Sequence, residues 1–261
     1  MQAFAYAKPA SLAEAARAAG ADGAKLIAGG QSLLASMKLG LAAPEALVDL
    51  AGVAGLHDIT VSGALVKVGA MCTHAAVAAH AGLAAAIPAL ADLAGKIGDR
   101  QVRNRGTIGG SLANNDPAAC YTAAALGLGA TIHTDRRSIA ADDFFTGLYE
   151  TALADGEVIT AVSFPVPEKA GWQKFKQPAS RFSIVGVFVS RGSQGVRVAV
   201  TGAGACVFRA KGLEAKLASN WSAAALAGAT VSADGLNTDL HGSAEYRAAL
   251  IPVLAGRAVA G

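Results

Sequence analysis

Ala28-Gly29-Gly30-Gln31-Ser32-Leu33 and, much later, Thr107-Ile108-Gly109-Gly110-Ser111 are the two stretches on which the reading of this chain turns. Each follows or lies near an apolar run and precedes a segment able to start a helix. Glycines let a ligand come close to the backbone, and bare N–H groups at a helix start present positive potential to an anion. Two such loops suggest one pyrophosphate gripped from both sides. Glycine alone is a weak signal, because 31 Gly in 261 residues give about four Gly-Gly pairs by chance. The flanking polar residues carry the argument: Gln31 and Ser32 in the first loop, Thr107 and Ser111 in the second, can all hydrogen-bond phosphate oxygens. A glycine-supported turn capped by Ser32 is the plainer reading of the first loop.

Around the first loop the pattern predicts a small βαβ-like unit of about 50 residues. Ser11 and Glu14 form a capping box, Leu12, Ala15, Ala16 and Ala19 give one helical face, and Gly20 ends the helix. A strand over 25–28, a helix over 32–39 and a strand over 46–50 follow. Ile59 and Val61, then 65–68 after Ser62-Gly63, read as a hairpin. Helices are predicted over 73–79 and 83–93, and beyond the second loop over 117–126, with Asp116 as N-cap and Pro117 in the first turn. Strands over 130–134 and 157–166 lead to a domain boundary near 167–171. In the last third, β-rich runs over 182–190 and 195–202 meet at Gly192-Ser193-Gln194. Helices over 210–217, 222–227 and 244–260 complete an α+β unit.

Composition excludes several classes. A net charge of +3 with 22 basic and 19 acidic residues is too small and scattered for a nucleic-acid binder. The densest basic trio, Arg100, Arg103 and Arg105, suits a phosphate, an acidic partner surface or plain solvent. The most apolar window, 75–93, is alanine-rich and broken by His80, Pro88 and Asp92, so it reads as buried helices and no transmembrane segment is expected. No secretory leader is visible at the N-terminus. Cys72, Cys120 and Cys206 fit neither a disulfide framework nor an iron–sulfur or zinc set, and a reduced, cytoplasmic setting is expected. The five histidines form no metal-ligand pattern, so no metal is expected in this chain, and no nucleophile motif or catalytic residue stands out. The first loop lacks a third glycine for a Rossmann fingerprint. Asp116 can cap a helix or accept from a ribose hydroxyl. Lys176 can be a surface lysine or can reach a cofactor bound between domains.

The order of these motifs resembles the FAD-binding medium subunit of molybdenum hydroxylases, of the carbon monoxide dehydrogenase and xanthine dehydrogenase type. The resemblance runs from Ala28–Leu34 through Gly69-Ala70-Met71-Cys72-Thr73-His74 and Arg105–Ser111. It continues with Asp143-Phe144-Phe145-Thr146-Gly147, Pro178–Phe182, Thr201–Gly204 and Ser243–Arg247, nearly the whole chain. It implies an α+β fold: a two-lobed FAD-binding domain of the vanillyl-alcohol-oxidase type over 1–168 (lobes about 1–55 and 56–168), then a C-terminal α+β domain over 169–261 with an antiparallel sheet and helices.

The resemblance further implies a site. Ala28, Gly29, Gly30, Gln31, Ser32 and Leu33, with Thr107, Gly110 and Ser111, would hold the FAD pyrophosphate. Asn114 and Asp116 would lie toward the adenosine, and Ile159, Lys176 and Phe182 toward the flavin ring. Two positions depart from the family pattern: Ile97 stands where the xanthine dehydrogenase branch has an aromatic residue, and Cys120 where the family often has an acid. Gln31 replaces the histidine through which many oxidases of the superfamily tether their flavin, so the FAD is expected to be non-covalent. The implied partners are a large subunit with the molybdenum cofactor and a small subunit with iron–sulfur clusters, assembled as a dimer of heterotrimers. In such an enzyme this chain would pass electrons to an external acceptor. A stand-alone flavin oxidase and a cofactor-free scaffold are the alternatives.

Overall fold

The computed structural model describes residues 2–261. The N-terminal unit is a three-stranded parallel sheet in which the strand Ala46–Asp49 lies between Ala5–Ala7 and Ala24–Ile27. The helix Leu12–Ala19 connects two of these strands, and it starts as expected. Ser11 accepts from the Glu14 N–H and the Glu14 carboxylate reaches back to the Ser11 N–H, so two otherwise orphaned donors are satisfied. The first glycine loop leaves the end of Ala24–Ile27 and enters the short helix Leu33–Lys38.

The chain then builds a five-stranded antiparallel sheet. Its central strand is Ile159–Pro165, flanked by Leu65–Gly69 and Thr131–Thr134. The hairpin Ile59–Ser62 to Leu65–Gly69 turns at Gly63, whose φ of +57° is left-handed. The single helix expected over 83–93 is two, Ala81–Ala86 and Pro88–Gly95. Pro88 has no N–H to continue the first helix, and it sits at the first position of the second, where none is needed.

A second departure concerns Asp116. The helix expected from Pro117 begins at Cys120 and runs to Leu128. Asp116 instead closes a turn, its carboxylate accepting from the Ala118 N–H at 2.8 Å and its carbonyl from the Ala119 N–H at 2.9 Å. The Asp-Pro pair is a turn signal as well as a helix-start signal. Here the turn prevails because Asn115 before it is already left-handed, at φ +41°.

Cys120–Leu128 is buried along its whole length, and it joins the two halves of the chain. One side packs on the N-terminal helices and strands; the other meets a four-stranded antiparallel sheet built from Lys169–Lys176, Ser183–Gly192, Gly195–Thr201 and Phe208–Arg209. The first of these strands has no counterpart in the sequence reading, since its alternating Lys-Ala-Gly-Trp-Gln-Lys pattern is weakly apolar. The sheet caps the carbonyl end of the buried helix: Ser190 Oγ donates to Gly127 O at 2.6 Å and Arg197 Nε to Leu126 O at 2.8 Å. Carbonyls that a helix end leaves unpaired are thereby satisfied without water. Arg197 also pairs with Asp142 at 2.5 Å. The long C-terminal helix Ala244–Ala260 lies across the same sheet, so close that Gly171 has no room for a Cβ against the Ala258 carbonyl.

Candidate functional site: two glycine loops and a cross-domain turn

The two glycine loops meet. A Cβ at Gly29 would overlap the Arg105 carbonyl, and one at Gly110 would stand 3.5 Å from the Ala28 Cβ. Gly30 has φ +71°, a left-handed turn that L side chains rarely adopt. The fold therefore brings Ala28 and Gly29 against Gly110 and Gly106 from about 80 residues away, close enough to share one ligand.

Their chemistry differs, which corrects the expectation of bare N–H groups on both loops. Among the described residues the backbone N–H groups of Gly29, Gly30, Gln31 and Ser32 have no protein acceptor. Those of the second loop are taken except at Thr107, whose N–H has no protein acceptor among the described residues. Gly106 donates to Val102 O, Ile108 to Cys72 O, Gly109 to Ala70 O, Gly110 to Thr107 Oγ1 and Ser111 to Thr107 O. Thr107 is the N-cap of Ile108–Asn114, and its hydroxyl hydrogen remains available for an outside acceptor. The Ser111 hydroxyl, half-buried, has no protein partner among the described residues. The first loop thus offers a row of amides and the second two hydroxyls and the single Thr107 amide at a helix start.

Close packing explains the glycines of the second loop. A Cβ at Gly109 would stand 2.6 Å from that of Ala70, and one at Gly106 would stand 2.5 Å from His74 Nε2. His74 is buried, tilted on Tyr121 with ring centroids 5.3 Å apart. Burial pushes its imidazole down to about 4, with the nearby Arg103 charge adding to the effect. The neutral ring therefore forms a wall for the loop. Neither His74 Nδ1 nor the Tyr121 hydroxyl has a partner among the described residues. In the sequence His74 stands only as part of the Gly69–His74 motif, and no local signal announces this role.

The remaining residues spread outward. Asn114 ends the Ile108–Asn114 helix, half-buried, about 9 Å from its start at 1.5 Å per residue. Next to it Asn115 is fully buried, and its amide donates to Gly147 O at 2.9 Å and Glu150 O at 2.7 Å; it staples the Phe145–Thr151 hairpin to the helix end. From that hairpin Tyr149 donates to Asp116 at 3.3 Å. Burial, and the Asp116 charge after it, raise the Tyr149 hydroxyl above its usual range. Ile159 is buried at the start of the central strand. Its neighbour Thr160 accepts from Ala70, whose carbonyl holds Gly109, so Ile159 is two hydrogen bonds from the second loop.

Lys176 and Phe182 flank a turn in which the Gln177 N–H donates to Phe182 O and the Gln177 side chain accepts from Ala179 and Ser180. Both are exposed. No hydrogen bond or ion pair joins either to the glycine loops among the described residues. They reach the N-terminal part of the chain through their neighbours. Lys174 donates to Lys96 O, and Arg181 to Gly98 O.

Four free amides, a left-handed glycine and a floor with no space for a Cβ suit a diphosphate. Residues 2–167 match the family described as the FAD binding domain in molybdopterin dehydrogenase. The chain is 36% identical to the nicotine 6-hydroxylase medium subunit of Paenarthrobacter nicotinovorans, covering 99% of this chain and 97% of that one. It is 33% identical to the carbon monoxide dehydrogenase medium chain of Hydrogenophaga pseudoflava, over 98% and 96%. In structure it superposes on a chain of quinoline 2-oxidoreductase from Pseudomonas putida 86 with a TM-score of 0.89 and 32% identity, over 99% and 96%. Fold and site together define an oxidoreductase subunit with a FAD-binding domain. The chain belongs to the FAD-binding medium subunits of the molybdenum hydroxylases.

Proposed function

We propose that this chain is the electron-transfer subunit of a heterotrimeric molybdenum hydroxylase, holding non-covalent FAD between an iron–sulfur subunit and an external electron acceptor. The observation that carries the reading is the row of free amides from Gly29 to Ser32 in a loop that packs against the hydroxyl-bearing second loop. In this reading Ala28–Leu33 cradle the pyrophosphate through backbone N–H groups, while Thr107, Gly110 and Ser111 close the other side. Asn114 and Asp116 lie toward the adenosine. Ile159, Lys176 and Phe182 lie toward the ring, as does Ile97 in the connection after the helix Pro88–Gly95. Bound FAD supplies a two-electron carrier that also exchanges single electrons; the protein's part is to hold it and set its electrostatics.

Gln31 supports non-covalent attachment, since its amide offers hydrogen bonds and no nucleophile. It donates to Gly29 O at 3.4 Å. The substrate lies with the large subunit: relatives named for nicotine, carbon monoxide and quinoline share this fold. No helix among the described residues is long and apolar enough to cross a membrane.

The test is co-purification of the tagged full-length chain from its native cell. The reading expects yellow protein, FAD released by acid, and two further subunits carrying molybdenum and iron. A single active chain oxidising substrate alone, or flavin remaining on the acid precipitate, would contradict it.

A further inference from the structure

Three cationic side chains from three different elements converge on one short run of backbone. Arg103, on the helix Arg100–Arg105 that leads into the second glycine loop, donates from Nη1 to Ile97 O at 3.1 Å and Gly98 O at 2.9 Å. Arg181 donates to Gly98 O at 3.2 Å. Lys174, from the first strand of the C-terminal sheet, donates to Lys96 O at 2.9 Å. Carbonyls at the end of Pro88–Gly95 are natural acceptors for cations, yet three cations on three consecutive residues exceed what one helix end requires.

Lys174 does more than the others. Its ammonium also donates to Arg181 O at 3.0 Å and lies 3.4 Å from the Cys120 Sγ. All three protons of the group thus have an acceptor, and the acceptors come from three segments: the 96–98 run, the start of the buried helix, and the 177–182 turn. Arg181 is left-handed, at φ +63°, and it immediately precedes Phe182. The ammonium therefore holds a strained residue in place from its carbonyl side. The Cys120 thiol continues the contact to Ser183 Oγ at 3.6 Å, the residue just after Phe182. Among the described residues no carboxylate pairs with Lys174. A half-buried ammonium with neutral partners only is an expensive choice for a mere surface strap.

We propose that Lys174 is a positioning residue for the flavin ring, its ammonium fixing Phe182 in the C-terminal turn relative to Ile97 in the N-terminal domain. The inference rests on the reading that FAD binds here with its ring toward these two residues. It explains why Cys120 is tolerated in place of an acid. A carboxylate there would neutralise the ammonium and draw it off the two carbonyls, whereas a thiol leaves the charge and the tie intact.

The test compares FAD with ADP, which carries the pyrophosphate and lacks the ring. Both are titrated into the full-length apo-protein by calorimetry, with the flavin absorption spectrum recorded. In Lys174→Met, FAD affinity is expected to fall by about tenfold, the worth of a charge-assisted hydrogen bond, while ADP affinity stays unchanged and the flavin spectrum shifts. Lys174→Arg, which keeps charge and donors, is expected to restore most of both. Lys174→Gln carries the same test if the Met variant does not fold: weaker FAD, unchanged ADP. Equal loss of FAD and ADP, or unchanged FAD affinity and spectrum, would overturn the proposal. Wild-type protein that binds neither nucleotide would sink the flavin assignment itself, a result distinct from a wild type that binds both and a variant that does not differ.

Discussion

The two glycine loops look like copies of one device in the sequence and turn out to be opposites in the structure. The first carries a row of four unclaimed amides and a left-handed Gly30, with Gly29 seated on the Arg105 carbonyl; in the second the Thr107 amide is unclaimed but the other amides are taken, and Gly109 presses on Ala70 as the adjoining Gly106 presses on His74. The difference teaches that a glycine pair has two uses, exposing backbone to a ligand and allowing backbone to approach backbone. In the proposed reading the first loop holds the cofactor. The second is built so that the first has something to close against.

That contrast can be broken by substitution. Gly30→Val places a β-branched residue at φ +71° with its Cβ 2.9 Å from the Leu34 side chain, a conformation such residues avoid. FAD affinity is expected to fall on the order of a hundredfold, the loss of about two charge-assisted hydrogen bonds, and fluorescence titration checks it. Gly109→Ala should show the reverse. Its Cβ would meet that of Ala70 at 2.6 Å, and overpacking of this kind costs about 1–3 kcal/mol. Tm should drop by several degrees while FAD affinity changes by less than about threefold. If Gly109→Ala lost FAD without losing Tm, the two loops would be alike after all.

Acidity sharpens the same contrast, because the wall behind the second loop titrates and the first loop has no titratable side chain. The His74 imidazole is held near 4 in the folded chain, against about 6.5 unfolded. The unfolded state therefore binds more protons between these values, so stability is full above pH 6.5 and declines as the pH falls toward 4. The slope approaches about 1.4 kcal/mol per pH unit at most. Glu157, held at about 2 chiefly by its hydrogen bond from Arg137, adds stability above its unfolded value near 4.5 that is lost only as the pH drops below it. Between 4.5 and 6.5 the slope belongs to His74 together with His133, whose imidazole is also lowered, by burial and then by the Lys67 charge, so chemical denaturation across this window should flatten in part in His74→Gln.

The smallest effect is expected at Ser111. Its hydroxyl makes no protein hydrogen bond among the described residues, so Ser111→Ala should leave Tm unchanged. It should weaken FAD only a few-fold, about one neutral hydrogen bond.

What the sequence made legible follows the range of the interactions involved. Local signals held: the Ser11–Glu14 capping box, the Gly63 hairpin, the glycine loops before Leu33–Lys38 and Ile108–Asn114. Where two local rules compete, one residue outside the motif decides. Asp116-Pro117 reads equally as helix start and turn, and the left-handed Asn115 selects the turn. Long-range facts were hidden. Nothing near Gly106 announces His74 as its neighbour, and nothing near Lys174 announces the carbonyls of Lys96 and Arg181 or the thiol of Cys120. The strand Lys169–Lys176 escaped for a related reason: its partner Ser183–Gly192 and the helix Ala244–Ala260 supply the burial that its own sequence lacks.

Hydrogen exchange resolved along the chain, with and without FAD, tests the central claim most directly. Amides of Gly29–Ser32 should exchange rapidly in the apo-protein and become protected when FAD is added, while those of Gly106 and Ile108–Ser111 should be slow in both states. Protection gained only in the second loop, or a first loop already slow without FAD, would contradict the assignment of the first loop as the cradle for the pyrophosphate.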